Sequence, residues 1–465
     1  MNLLIKNGTI VDSDQMRRGD ILVQDGVICR VSEQINEHDY ERELTIIDAS
    51  GKFVLPGLID AHTHYHLVSR GTVTADSFKE GSRLAAFGGV TTVIDFADHD
   101  KSTTLLNATK ARKDAMEEGM AIDFTLHQGV YGMNERIPEE LAALKESGVR
   151  TIKIFTTYRN VGYLIENDGL RDLFTACRDL ELMVCVHAED DDLIQELLEE
   201  HGDAPFPPKA HAVLRPAEAE ARAIHYVGSL AGELGMPIYI VHLSSKAGFE
   251  MIQRLRVKGI QVATETTPHY MMLDRSLLEG EDGPLYIMTP PLRDTFDNEA
   301  LWKGVESGAI RIVATDHCTF TLEQKLSSHD CRSIFPGIPG TEEMLPIIHT
   351  FGVKQGRITL QQLVGLLSTN PAKTFGIYPQ KGSLEVGTDA DIMIFDAELP
   401  WTITNESEHT AAGYTPFHNT EVVGKSIMTL RRGEILVDGN DYYGESGTGR
   451  FVKAGTPGVY RKHSH

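Results

Sequence analysis

Nowhere does this sequence hold the run of about 18 apolar residues that a membrane-crossing helix needs. Its opening residues, MNLLIKNGTIVDSD, also lack the apolar stretch of a secretory signal, so neither anchoring nor export is expected. Cysteine is scarce: Cys29, Cys177, Cys185, Cys318 and Cys331 are scattered, odd in number and never in C-x-x-C spacing. That pattern suits free thiols in a reducing compartment, and a cytoplasmic location is expected. Positive charge is short as well, with 44 Lys and Arg against 67 Asp and Glu and a formal charge of -23. Such a balance repels phosphate backbones and anionic lipid, and no basic block offsets it, so the expected partners include no nucleic acid and no membrane.

Hydrophobic residues make up 41% and charged residues 24%, near the averages for folded globular chains, which excludes a disordered or fibrous class. At 465 residues the chain is long enough for one large domain and a smaller one. Residues 1–52 read as short strands broken by Asn-Gly and Asp-Gly turns, and residues 379–440 read the same way, so the two ends should pair into one small β-sandwich-like domain. Residues 441–465 have no clear period and are expected to form an extended arm. Between the ends, over 53–378, apolar runs alternate with helical stretches that close at glycine. The runs cover 53–64, 91–97, 122–130, 151–157, 182–189, 237–245, 260–268 and 310–317. Two more helices are expected around 341–356 and 359–374. The expected fold is α/β, a (β/α)8 TIM barrel.

In such a barrel the C-terminal ends of the strands form the active face, and five of the eight runs carry a group with metal or acid–base chemistry. They supply His62 and His64, Lys153, His187, His242 and Asp316. Residues two apart on a strand share a face, so His62 and His64 should point the same way. Any one of these residues alone would be read as a hydrogen-bonded loop residue. Together, four imidazoles and a carboxylate exceed the three protein ligands of one catalytic zinc, which calls for two divalent ions. Lysine has donors only and cannot ligate a cation as it stands. Burial favours its neutral amine, which could take up carbon dioxide and become a carbamate whose two oxygens bridge two metals.

The segments LPGLIDAHTH, GTVTADSF, IKIFTTY, VCVHAED, HAVLRPAEAEA, IVHLSS, ETTPHY, TPPLRD, ATDHCTF and KGSLEVGTDADIMIFD occur in that order. Over about residues 1–450 they resemble the dihydropyrimidinases and hydantoinases among the cyclic amidohydrolases. The resemblance implies that His62, His64 and Asp316 hold one ion, that His187 and His242 hold the other, and that N6-carboxylysine at Lys153 bridges them. Zinc is the implied metal. A hydroxide between the ions would attack a ring carbonyl, with Asp316 as general base and Tyr158 donating to the oxyanion. The implied substrate is a small cyclic ureide, a dihydropyrimidine or 5-substituted hydantoin opened to an N-carbamoyl amino acid. The implied assembly is a homotetramer.

Two positions depart from the family pattern. Thr289 stands where the family has serine, and Pro336-Gly337 where it has Asn-Gly, in the segments whose main chain would hold the ring amide. The segment Tyr65 to Arg70 is unusually polar for a loop that in relatives faces the exocyclic substituent. His66 and Arg70 are therefore expected near a polar or anionic substituent, with Phe155 also discriminating among rings. Allantoinase and dihydroorotase are the alternatives, but the latter's arginine two residues after the second histidine is replaced by His66, and the Glu-Pro-Gly run both tend to carry is absent. A non-catalytic dihydropyrimidinase-like scaffold would have lost ligands, and here each one is present.

Overall fold

The computed structural model describes residues 2–40, 44–99 and 102–460. Eight parallel strands follow one another in sequence order around a barrel: β1 (Leu58–Thr63), β2 (Val90–Ala97), β3 (Asp123–Gly129), β4 (Thr151–Phe155), β5 (Met183–His187), β6 (Ile238–Ile240), β7 (Val262–Thr266) and β8 (Ile312–Val313). A parallel bridge between Thr63 and His317 joins the last strand to the first, and the His64 N–H donates to His317 O at 2.8 Å. The two-residue alternation of each strand sorts its side chains. Ile152, Ile154, Val184 and Val186 enter the main core that includes the helices. Met183, Cys185, Tyr239 and Ile312 fill a second cluster with other inward residues.

The run at 53–64 is two strands. Phe53–Pro56 pairs antiparallel with Ile392–Ile403 in the small sheet, and β1 begins after Gly57. A Cβ at Gly57 would lie 2.2 Å from Thr91 Oγ1, so only glycine lets the chain cross so close to β2. Helix ends follow local chemistry. Ser77 caps Phe78–Phe87, and the left-handed Gly148 and Gly235 end Ile137–Ser147 and Ala217–Leu234. The two late helices form, but each carries a π-helical turn, His349–Lys354 and Gly365–Thr369, the second just before Pro371. Proline lacks the N–H that would continue a regular helical ladder there.

Both chain ends meet in one nine-stranded mixed sheet around a core that includes Leu3, Ile21, Val54, Ile392 and Leu430. From Glu445 the arm runs across the N-terminal face of the barrel. Val452 N donates to Phe124 O at 2.7 Å, Ala454 N to Gly148 O at 2.9 Å and the Tyr460 hydroxyl to Leu182 O at 3.0 Å. Residues 461–465 of the expected arm lie outside the described residues. Among the described residues no helix is long and apolar enough to cross a membrane.

Candidate active site

Alternation along β4 and β5 sends Lys153, Phe155 and His187 to the barrel mouth, and the register sets Phe155 beside His187. β1 needs more than alternation. Ile59 and Ala61 point into the barrel interior, which by strict period would turn His62 outward. Between the pairs Asp60–Val93 and Thr63–Asp95, however, β1 advances three residues while β2 advances two. This bulge re-aims the strand, and His62 and His64 both face the same cavity. His242 and Asp316, just past β6 and β8, take φ of 35° and 52°. Non-glycine residues in this left-handed region are strained, and such strain clusters at functional sites.

The strand ends and loops enclose a cavity of about 260 Å3 whose wall includes His62, His64, Lys153, His187, His242 and Asp316. The Nε2 atoms of His62 and His64 lie 3.1 and 3.2 Å from Asp316 Oδ1, and one ligand atom from each of the three falls within 4.8 Å of the others. His62 Nδ1 is 2.6 Å from Glu265 Oε1. The tautomer that donates there turns the Nε2 lone pair toward the Asp316 oxygen, and this buried Nε2 has no hydrogen-bond partner among the described residues. Two acceptors facing each other at that distance fit a cation between them, and two imidazoles with a carboxylate suit a zinc-like ion.

A second pair of histidines completes the wall. The His187 and His242 rings stand 4.7 Å apart. His187 Nε2 meets Glu189 Oε2 at 2.8 Å, which leaves Nδ1 for the cavity, and His242 Nδ1 is buried without a partner among the described residues. Lys153 Nζ sits 5.3 Å from the Phe96 ring, which packs on His62 and His64, and 5.2 Å from the Phe155 ring, which packs on His187. It therefore lies between the two groups of imidazoles. Burial pulls its pKa down to about 8, so a useful fraction is the neutral amine. Burial would push the Asp316 carboxyl up, but positive charge on the imidazole side, His62 foremost, outweighs it and holds the group well below the usual carboxylate range, and a cation held between the same atoms acts in the same direction.

The amidohydrolase family profile matches residues 53–436. A D-hydantoinase of Geobacillus stearothermophilus is 37% identical over 459 residues, covering 97% of this chain and 96% of its own length. The chain belongs to the amidohydrolase family. It aligns over 98% of its length with the crystal structure of dihydropyrimidinase from Brevibacillus agri NCHU1002, at TM-score 0.95 and 34% identity over 99% of that chain. The L-hydantoinase (dihydropyrimidinase) of Arthrobacter aurescens aligns over 97% of this chain and 99% of its own, at TM-score 0.88 and 30% identity. Within its family this amidohydrolase is a cyclic amidohydrolase of the hydantoinase and dihydropyrimidinase type.

Tyr158, Thr289, Gly337 and Phe155 all line the amidohydrolase cavity, as does Arg70. Gly337 contributes shape: its N–H already donates to Ile287 O, and its carbonyl accepts from Lys325 Nζ and the Tyr414 hydroxyl. Its φ of 142° and a Cβ position 2.2 Å from Cys318 O explain why glycine stands there. His66 lies outside this wall: at φ 47° its exposed ring packs toward Phe78, with centroids 5.4 Å apart. Tyr65 is buried beneath, its hydroxyl 3.2 Å from Thr341 Oγ1. The rim positions expected of these two are filled by Leu67, Ser69 and Arg70.

Three supporting carboxylates escaped the sequence reading. Glu265 orients His62 and accepts from the Tyr239 hydroxyl at 2.8 Å. Glu189 orients His187 and is itself held by Arg215. Asp60 accepts from Thr315 and Thr341 and so ties β1 to the end of β8. The usable signal was an acid inside an apolar strand run, such as Glu265 in IQVATETTP, since a buried carboxylate needs a partner.

Proposed function

We propose that this protein hydrolyses the ring amide of a cyclic ureide, a dihydropyrimidine or a 5-substituted hydantoin, to give an N-carbamoyl amino acid. The observation that carries it is the single cavity that gathers His62, His64, Lys153, His187, His242, Asp316 and Tyr158. His62, His64 and Asp316 would hold one divalent ion, His187 and His242 a second, with Lys153 joining both as a carbamate. When bound, such ions act as Lewis acids and lower the pKa of water toward neutrality. Zinc suits imidazole and carboxylate donors.

The chain's own groups account for the proton movements. Asp316, ionised at neutral pH, takes a proton from the attacking water and returns it to the ring nitrogen as the carbon–nitrogen bond breaks. Tyr158 stays protonated because burial pushes its phenol up, so it can donate to the carbonyl oxygen as negative charge develops. Glu265 and Glu189 fix the tautomers of His62 and His187. The five free cysteines accord with a reducing, cytoplasmic setting, and light scattering would test the tetramer that the resemblance implies.

The test is a hydrolysis assay on dihydropyrimidines, hydantoins, allantoin and dihydroorotate, with metal content measured on the same protein. Expected are two divalent ions per chain and opening of a dihydropyrimidine or hydantoin. Lys153→Ala should lose metal and activity together and recover part of both with added short carboxylate. Activity on allantoin or dihydroorotate alone would move the protein to another branch, and a fully active, fully metallated Lys153→Ala would end the bridging role.

A further inference from the structure

A second cavity of about 200 Å3 adjoins the first, and the two share Arg70, Tyr158, Asn160, Thr289 and Pro336 as a common wall. Three guanidinium groups line it: Arg70, Arg215 and Arg332. Two of them are already engaged. Arg215 pairs with Glu189 and lies 5.0 Å from the centre of the Tyr158 ring. Arg332 pairs with Asp330 at 2.5 Å and sits 3.6 Å over Phe206. Asp191, the carboxylate on this wall, accepts from Thr157 Oγ1 at 3.0 Å and lies 3.6 Å from Arg159. Arg70 has no ion-pair partner among the described residues. Its Nη1 reaches Arg332 O at 3.4 Å, and the other donors of its guanidinium are left for a ligand.

The backbone points the same way. Ser69 pairs with Thr72 across the short hairpin Val68–Ser69/Thr72–Val73, so its two-residue turn is Arg70-Gly71. Both residues have positive φ, 49° and 79°, the pattern of a type I′ turn. That turn favours Asn-Gly or Asp-Gly, and a long side chain at its first position is strained by comparison. The sequence thus keeps a poor turn residue where its cation overlooks both cavities. In a chain of formal charge -23, an anionic ligand needs such a local cation to be held.

We propose that Arg70 is an anion subsite that selects cyclic ureides whose exocyclic arm ends in a carboxylate. This rests on the ring-opening reading above and names its substrate class. The arm would pass the shared wall at Tyr158 and Thr289 and meet the guanidinium, which matches a carboxylate with two parallel hydrogen bonds.

Two probes test it: a hydantoin with a 5-(2-carboxyethyl) arm and its neutral 5-(2-carbamoylethyl) isostere. The native enzyme should favour the carboxylate by roughly tenfold or more in kcat/KM, carried mainly by KM, and the preference should shrink as salt rises. Arg70→Asn suits the turn better than arginine, so it should fold at least as well, and it should bring the ratio of the two probes close to one. Arg70→Glu should reverse it. Equal or better use of the amide by the native enzyme, or equal losses on both probes in Arg70→Asn, would overturn the subsite. If no ring is opened at all, the ring-opening reading fails, yet calorimetric titration with the carboxylate probe still decides the subsite. Weaker binding to Arg70→Asn supports it, and unchanged affinity removes it.

Discussion

Tyr158 occupies φ 67° and ψ 39°, a left-handed conformation that a bulky side chain adopts at a cost of about 1–3 kcal/mol. Its carbonyl accepts from the Val161 and Tyr163 N–H groups at 3.2 Å, so a tight turn holds the residue in place. The consequence is a phenol directed into the cavity with the Arg215 guanidinium against its ring. Tyr158→Phe is expected to lower kcat by about 100- to 1000-fold, the usual loss when one oxyanion donor is removed, with KM nearly unmoved. Steady-state kinetics beside a circular dichroism spectrum would check it, and wild-type turnover would leave the residue a packing role. The residue was legible only through the family resemblance of the IKIFTTY segment, and its backbone conformation was not, since the turn is built from hydrogen bonds downstream.

Among the elements, the short helix Leu322–Lys325 braces the cavity wall from behind. A capping box between Thr321 and Gln324 starts it, and its last residue is fully buried. Lys325 Nζ donates to Ile287 O at 2.7 Å, Phe335 O at 2.9 Å and Gly337 O at 3.0 Å, so one side chain ties together two segments that line the cavity. Burial pulls its pKa down to about 7, while three carbonyl acceptors suit the three donors of the ammonium. Lys325→Met would leave these buried carbonyls without their donor, at about 1–3 kcal/mol each where no water replaces it. We expect a lower melting temperature and a KM raised by roughly tenfold with a smaller fall in kcat, as for a wall that has shifted and not a lost reacting group. Unchanged melting and unchanged KM would remove Lys325 from any positioning role. In LEQKLSSHD nothing distinguishes this lysine from one on a solvated helix, because its burial comes from loops that close over it.

At the scale of the whole molecule, the barrel and the small sheet are joined by a buried ionic cluster. Lys381 Nζ lies 2.5 Å from Asp123, 2.7 Å from Asp391 and 3.0 Å from Asp389, and Arg432 also pairs with Asp123. Asp123 opens β3, while Asp391 and Arg432 belong to the C-terminal part of the chain, so residues more than 250 positions apart share one network. Removing one partner of a buried ion pair costs about 3–5 kcal/mol because the other charge is stranded. Lys381→Met should therefore lower the denaturant midpoint by a corresponding amount, with the arm at Val452 and Ala454 loosening in hydrogen exchange. A midpoint equal to that of the parent protein would show that the cluster does not govern stability.

The sequence by itself determined the eight barrel runs, the pairing of the chain ends and the six candidate ligands, because strand period and ligand chemistry are local properties. Alternation placed Lys153 and His187 correctly, since β4 and β5 are regular. It gave His62 and His64 one shared face, but that this face meets the cavity depends on a bulge against β2, and it did not reveal that His66 lies off the cavity wall. Glu265, Glu189 and Asp60 act through partners far along the chain, and the Arg70 subsite needs two cavities to share a wall. These depend on which distant surfaces are brought together, and only the tertiary structure decides that.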